Sequence, residues 1–83
     1  MTTIVKITQD KCPKCVLLNG LMESLEASVD EELLITDENR CHIIEKYDIY
    51  STPTVIAFTK DGREIERFSE VNYSVAESFF NKY

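Results

Sequence analysis

Two thiols three positions apart, Cys12 and Cys15, enclose Pro13 and Lys14. At this spacing two cysteines either close reversibly into a disulfide within one helical turn or supply half of a tetrahedral zinc site. The flanks bear on that choice. A β-branched run precedes the pair and an apolar helix pattern follows it, so the cysteines fall where a strand gives way to a helix. There the unpartnered N–H groups and the helix dipole stabilise a thiolate on Cys12, and a depressed thiol pKa is expected. Lys11 and Lys14 add positive charge, partly offset by Asp10. Lys14 should make the pair more oxidising than an apolar third residue would. Pro13 suits the first helical turn, because its missing N–H removes only an orphan donor. Cys12 is therefore the candidate nucleophile. Cys15, one turn on and deeper, is the candidate resolving thiol that attacks the mixed disulfide.

Other chemistry-bearing residues are sparse. Cys41 has no x-x-Cys partner and reads as a half-buried structural thiol. His42 is the only histidine. A zinc site built from Cys12, Cys15, Cys41 and His42 would require adjacent residues 41 and 42 to converge on one ion, so no metal is expected. Thr52-Pro53-Thr54 is the other conspicuous step. X-Pro bonds in folded proteins are cis in only about 5–6% of cases, so propensity alone gives an ordinary strand-start proline. Glu64, Glu66 and Arg67 read as a solvated strand face.

Eighty-three residues with a net charge of −6 fit one domain, residues 1–83, and argue against nucleic acid or an anionic membrane as partner. No stretch approaches the roughly 20 apolar residues of a membrane span. The start, Met-Thr-Thr-Ile-Val-Lys-Ile-Thr, lacks the basic and apolar regions of a signal peptide, which favours the cytoplasm. Structural disulfides are uncommon there, so a C-x-x-C pair is expected to be redox-active or metal-binding.

The elements that must position the pair follow from periodicity. Residues 2–8 read as a strand. Val16, Leu17, Leu18, Leu21, Met22 and Leu25 fall at helical spacing from Pro13 to about 28–30, with Gly20 inside as a possible point of close packing. Glu32–Thr36 reads as a short buried strand. Asp37 or Asn39 caps a helix to about Tyr47, with Ile43, Ile44 and Tyr47 inward. Thr54–Thr59 is a strand, Asp61-Gly62 a two-residue hairpin signal, and Arg63–Phe68 a strand with Ile65 and Phe68 inward. Ser74-Val-Ala-Glu77 is a capping-box pattern opening a final helix that packs Val75, Phe79 and Phe80. The fold class is α/β, in the order β-α-β-α-β-β-α. Its sheet is four-stranded and mixed, with helices on both faces.

From Ile35 to Gly62 the chain resembles thioredoxin: Asp37 and Asn39 before the second helix, then Tyr47-x-Ile49, then Pro53-Thr54 with its apolar strand, then the glycine hairpin. With Cys12-x-x-Cys15 upstream, the resemblance covers essentially the whole chain, minus the extra N-terminal strand and helix of full-size thioredoxins. In size the chain is similar to glutaredoxins and small thioredoxin-like proteins. The resemblance implies Cys12 as nucleophile, Cys15 as resolver and Pro53 as the cis-proline of a substrate groove. A cis bond there would present the Thr52 backbone to an extended peptide. Pro13 and Lys14 would line the same groove.

The departures are specific. Thioredoxins usually carry Trp before the first cysteine and Gly-Pro between the two, where this chain has Lys11 and Pro13-Lys14. They also carry a buried acid six residues before the nucleophile, where this chain has Lys6. Lys6 either approaches Cys15 and favours its thiolate or snorkels to solvent. Lys6 and Lys11 are thus the candidate tuning residues. Ser69-Glu70-Val71-Asn72 replaces both the close-approach glycine of thioredoxins and the Gly-Gly-Asp-like glutathione clamp of glutaredoxins. The expected activity is reduction of protein disulfides by a monomer, without dissociable cofactor, recharged by a thioredoxin-reductase-type donor. The alternatives are a glutathione-dependent glutaredoxin, for example an electron donor to ribonucleotide reductase, and a binding or scaffolding subunit of the same fold.

Overall fold

In the computed structural model, which describes residues 2–83, the strand read from the first residues is the organising element. β1 (Thr3–Gln9) runs Thr-Ile-Val-Lys-Ile-Thr-Gln, and its residues from Ile4 to Thr8 are all buried. A strand buried on both faces needs neighbours on both edges, and β1 has them. It pairs in parallel with β2 (Glu31–Ile35) and antiparallel with β3 (Thr54–Phe58). β3 pairs antiparallel with β4 (Glu64–Phe68), giving the sheet order β2-β1-β3-β4. Three helices complete the chain: α1 (Pro13–Leu25), α2 (Arg40–Tyr47) and α3 (Tyr73–Lys82).

Alternation along β1 and β3 divides the core into two layers. Ile4, Val55, Ala57 and Phe68 face α1 and α3, packing with Leu18, Met22, Ala76 and Phe79. Val5, Ile7 and Ile56 face α2, packing with Ile35, Ile43 and Ile49. Phe79 centres the first layer, its ring 4.9 Å from Phe68 and 5.0 Å from Tyr83. The α/β architecture expected from the sequence, a four-stranded mixed sheet with helices on both faces, is the one observed.

Several local expectations are corrected. β2 is not a buried strand: it lies at the sheet edge, and Glu31, Glu32 and Leu34 are exposed. Val16 and Leu17 are 68% and 61% exposed, because only the Cys15–Leu18–Met22 stripe of α1 faces the sheet. α1 also stops earlier than expected, with Glu26 as a left-handed C-cap. Gly20 marks no close packing, since a Cβ there would meet nothing within 4 Å. On α2, Ile43 is buried but Ile44 is exposed.

The hairpin loop is longer than two residues, running from Thr59 to Arg63 with Gly62 at φ 90°. A register shift follows at Ala57/Phe58, where Phe58 pairs Glu64 and Ala57 pairs Glu66. That bulge leaves Ile65 without a partner across the ladder, and Ile65 is 45% exposed instead of inward. Arg67 is not simply solvated. Its guanidinium forks onto the Glu64 carboxylate and donates to the carbonyls of Tyr47 (2.7 Å) and Asp48 (3.0 Å), tying β4 to the end of α2. α3 begins one residue before the expected capping serine. Asn72 is the N-cap, its side-chain oxygen accepting from the N–H groups of Ser74 and Val75.

Candidate active site

At the carboxyl end of β1 the chain turns through Asp10 and Lys11 and enters α1. Lys11 has φ 54°, in the left-handed region, and its side chain is exposed. Cys12 is extended (φ −114°, ψ 99°) and is the N-cap of α1, one position ahead of the first helical turn expected for it. Pro13 at the first helical position has no N–H, so it leaves no orphan donor there. The donor that turns toward the sulfur belongs to Cys15: its N–H reaches Cys12 Sγ at 3.1 Å. No acidic residue occupies the first turn of α1, so nothing there neutralises the positive end of the helix dipole.

Cys12 and Cys15 form a disulfide, with Cα atoms 5.2 Å apart. Both are buried, and Cys15 is the deeper, at 5% exposed against 9%. An open cleft of about 530 Å³, lined by Lys11, Cys12, Pro13, Cys15, Val16 and Asn19 among others, runs along the α1 side of the bond. Pro13 and Lys14 are exposed beside it.

The opposite side is closed by the segment before β3. The Thr52–Pro53 bond is cis, which propensity alone argues against and the resemblance implies. Thr52 lies against the disulfide: its carbonyl oxygen is 3.8 Å and its hydroxyl oxygen 3.6 Å from Cys12 Sγ. In the closed disulfide Cys12 carries no thiol proton, so the Thr52 hydroxyl is the donor of that pair. Pro53 itself is fully buried. The group of this step that meets Cys12 is therefore Thr52.

Of the two courses expected for Lys6, snorkelling to solvent is overturned, because the residue is 5% exposed. Its ammonium donates to Asn19 Oδ1 at 2.6 Å and pairs with the Glu32 carboxylate at 3.2 Å. Asn19 stands one turn beyond Cys15 on α1, which places this charge on the side of the sheet that carries α1.

Cys41 is an exposed free thiol, not a half-buried one. Among the described residues no three or more His, Cys, Asp or Glu side chains gather where they could hold a metal ion. Three contributors were given no role from the sequence: Asn19, Thr54 and Ser69. Asn19 has Lys6 as its partner. Thr54 donates its buried hydroxyl to the Ser51 carbonyl at 2.7 Å and shares a 2.9 Å hydrogen bond with Ser69. Their hydroxyls and amide acquire these partners only in the folded chain.

Chemically, the arrangement offers a sulfur at a helix N-terminus, a second sulfur bonded to it, and an irregular backbone segment alongside. No family model matches the sequence. Over 58 residues the chain is 38% identical to a thioredoxin of Chlamydia caviae, a match covering 68% of this chain and 56% of that protein. The chain therefore spans little more than half the length of that curated relative. Among solved structures, the thioredoxin of Malassezia sympodialis superposes with a TM-score of 0.76 at 17% identity, covering 98% of this chain and 73% of that one. The thioredoxin of Fasciola hepatica gives 0.70 at 22% identity, covering 98% and 79%. These structures share the fold from end to end of this chain, and the Chlamydia protein shares its sequence: the chain belongs to the thioredoxin superfamily.

Proposed function

We propose that this protein is a thiol–disulfide oxidoreductase that reduces disulfides in proteins. The observation that carries the reading is the Cys12–Cys15 disulfide at the N-terminus of α1, with Thr52 against Cys12. In the reduced protein the Cys12 thiolate attacks a substrate disulfide. One Cys12–substrate S–S bond forms, the substrate bond breaks, and the departing substrate thiolate takes a proton from solvent. Cys15, deprotonated, then attacks Cys12 Sγ, which closes the intramolecular disulfide and expels the second substrate thiolate. Two electrons and two protons pass to the substrate, and a dithiol donor must return them.

Each neighbour has a role in that sequence. The Cys15 N–H, aimed at Cys12 Sγ, and the Thr52 hydroxyl stabilise the attacking sulfur as an anion. Thr52 forms one wall of the substrate groove, with the buried Pro53 behind it, while Pro13 and Lys14 form its outer lip. Lys11, beside Cys12, and Lys6, beneath α1, bias the pair toward its thiolate form. The electron donor is a thioredoxin-reductase-type enzyme, in keeping with Ser69–Asn72 in place of a glutathione clamp. The cytoplasm, where thiols are kept reduced, suits such a pair. Among the described residues no helix is long and apolar enough to cross a membrane.

Insulin reduction tests the reading, with thioredoxin reductase and NADPH in one arm and glutathione with its reductase in the other. Turnover in the first arm is expected from the wild type and none from Cys12→Ser. Equal activity in the variant would remove the nucleophile. Turnover only with glutathione would move the protein to the glutaredoxins.

A further inference from the structure

We propose that Thr54 is a positioning residue of the redox site: its buried hydroxyl ties the segment carrying Thr52 to the turn after β4, and so holds Thr52 where a substrate peptide must pair. The inference rests on the oxidoreductase reading and adds a residue to it.

Thr54 is 1% exposed and, among the described residues, is one of three buried polar or charged ones, with Lys6 and Thr8. A strand-start position in the core asks only for a β-branched shape, which valine supplies without burying a hydroxyl. The hydroxyl here is fully used. Its single proton goes to the Ser51 carbonyl at 2.7 Å, so at the 2.9 Å contact it accepts, and Ser69 donates. One atom thus joins two stretches of chain: residue 51, just before the Thr52–Pro53 step, and residue 69, the first after β4.

The segment needs such a tie. Among the described residues, the backbone hydrogen bonds outside helices and strands include Ile49 N–H to the Ile44 carbonyl but none from residues 50–53. Arg67 anchors the segment at its start through the Tyr47 and Asp48 carbonyls. Thr54 anchors it at its end. Between these two ties, both reaching β4 or the residue after it, lies the Thr52 carbonyl and hydroxyl pair that faces Cys12. Without the Thr54 hydroxyl the segment still runs into β3, where Thr54 pairs with Ile7, but it loses its side-chain ties to Ser51 and Ser69. A peptide that adds to Thr52 as an extra strand then meets an edge it must first order, whereas a small disulfide attacked by Cys12 has no peptide to align.

The test compares two disulfides: insulin, with dithiothreitol as the regenerating donor, and the small aromatic disulfide dithiobis-nitrobenzoate, in a single turnover of the pre-reduced protein freed of dithiothreitol, which would reduce this reagent directly. In Thr54→Val the KM for insulin should rise about tenfold with kcat changed less than about twofold, the size of one lost positioning hydrogen bond. Turnover of the small disulfide, which feels Thr52 only through its hydroxyl on Cys12, should change less than about twofold, and Thr54→Ser, which keeps the hydroxyl, should restore the insulin KM. Ser69→Ala removes only the second tie and should raise the insulin KM by about threefold, an intermediate effect on the same scale. It decides the matter if Thr54→Val does not fold.

An unchanged insulin KM in Thr54→Val, or in Ser69→Ala where that variant must decide, would overturn the proposal. So would an equal loss on both disulfides, or failure of Thr54→Ser to rescue. A wild type inactive on both disulfides removes the oxidoreductase reading and this inference with it. An active wild type with an unmoved KM in the variants removes the inference alone.

Discussion

Replacing Lys6 by methionine separates two consequences of burying a charge. The Lys6 side chain is 7% exposed, whereas its partner Glu32 is 52% exposed and Asn19 is on the surface. In Lys6→Met both partners turn to water, so no buried polar group is orphaned. A charge-assisted hydrogen bond worth about 1.5–3 kcal/mol is lost, with a half-screened ion pair worth about 0–1 kcal/mol. Against that, an ammonium whose burial costs several kcal/mol leaves the interior, and an unbranched apolar chain of similar volume takes its place. The expected result is a protein between about 0 and 2 kcal/mol more stable.

Glu32→Gln does the opposite. It leaves the buried ammonium with two neutral acceptors, Asn19 and the new amide, and no counter-charge, and should cost about 1–2 kcal/mol, less than the 3–5 of a fully buried pair because solvent already reaches Glu32. The double variant should behave as Lys6→Met does. Urea unfolding of the oxidised proteins at neutral pH measures all three. A Lys6→Met protein less stable by more than about 2 kcal/mol would refute the reasoning, because burial of the charge would then be net favourable. The reduction potential gives an independent reading of the tuning role. Loss of a cation on the thiolate side destabilises the reduced form, so Lys6→Met should lower the potential by about 10–30 mV, the upper figure being equivalent to about 1.4 kcal/mol. An unmoved potential would confine Lys6 to stability.

Gly20→Ala should raise stability by about 1 kcal/mol in the same urea assay, since the site is helical and exposed and its Cβ meets nothing within 4 Å; a loss would mean an unrecognised contact there. Asn72→Ala removes the acceptor for two N–H groups at the start of α3 and should cost about 1 kcal/mol, checked by the shift in its urea midpoint. The Arg67 guanidinium holds the Glu64 carboxyl below its ordinary value of 4.5, and hydrogen bonds from Tyr83 and Lys82 do the same for Glu66. Stability from these groups is present above 4.5 and is lost as pH falls through their lowered values, so Glu64→Gln and Glu66→Gln should flatten the acid limb of Tm against pH. The Glu66 hydrogen bond also raises the Tyr83 phenol above 10.0, and its contribution is lost as pH climbs through that raised value. An acid limb as steep in both variants as in wild type would place the titration elsewhere.

Periodicity and residue type carried far where the local pattern and the global requirement agree. β1 and β3, buried on both faces, announce themselves as runs of Ile, Val and Ala, and α3 as a stripe of Val75, Phe79 and Phe80, to which the structure adds the buried Ala76. Errors gathered where a neighbour decides. Ile65 alternates as an inward residue, yet a bulge one register away turns it out. Val16 and Leu17 fit a helical apolar face as well as Leu18 does, but α1 is only half covered and one stripe is chosen by the sheet beneath it. Ser74 and Asn72 are both competent caps, and it is the extended Asn72 whose side chain accepts from the N–H groups of Ser74 and Val75.

By itself the sequence determined the chemistry available: two thiols one turn apart at a strand-to-helix junction, and a proline before the third strand. Those features are local, set by spacing and by what a helix start does to a sulfur. Only the tertiary structure decided what stands around the pair. Thr52 follows Cys12 by forty residues and meets its sulfur. Lys6 has Asn19 and Glu32 to hold its charge inside. Thr54 and Ser69 join across two strands. Such contacts depend on register and crossover, and a one-residue shift in either would send each side chain to the opposite face.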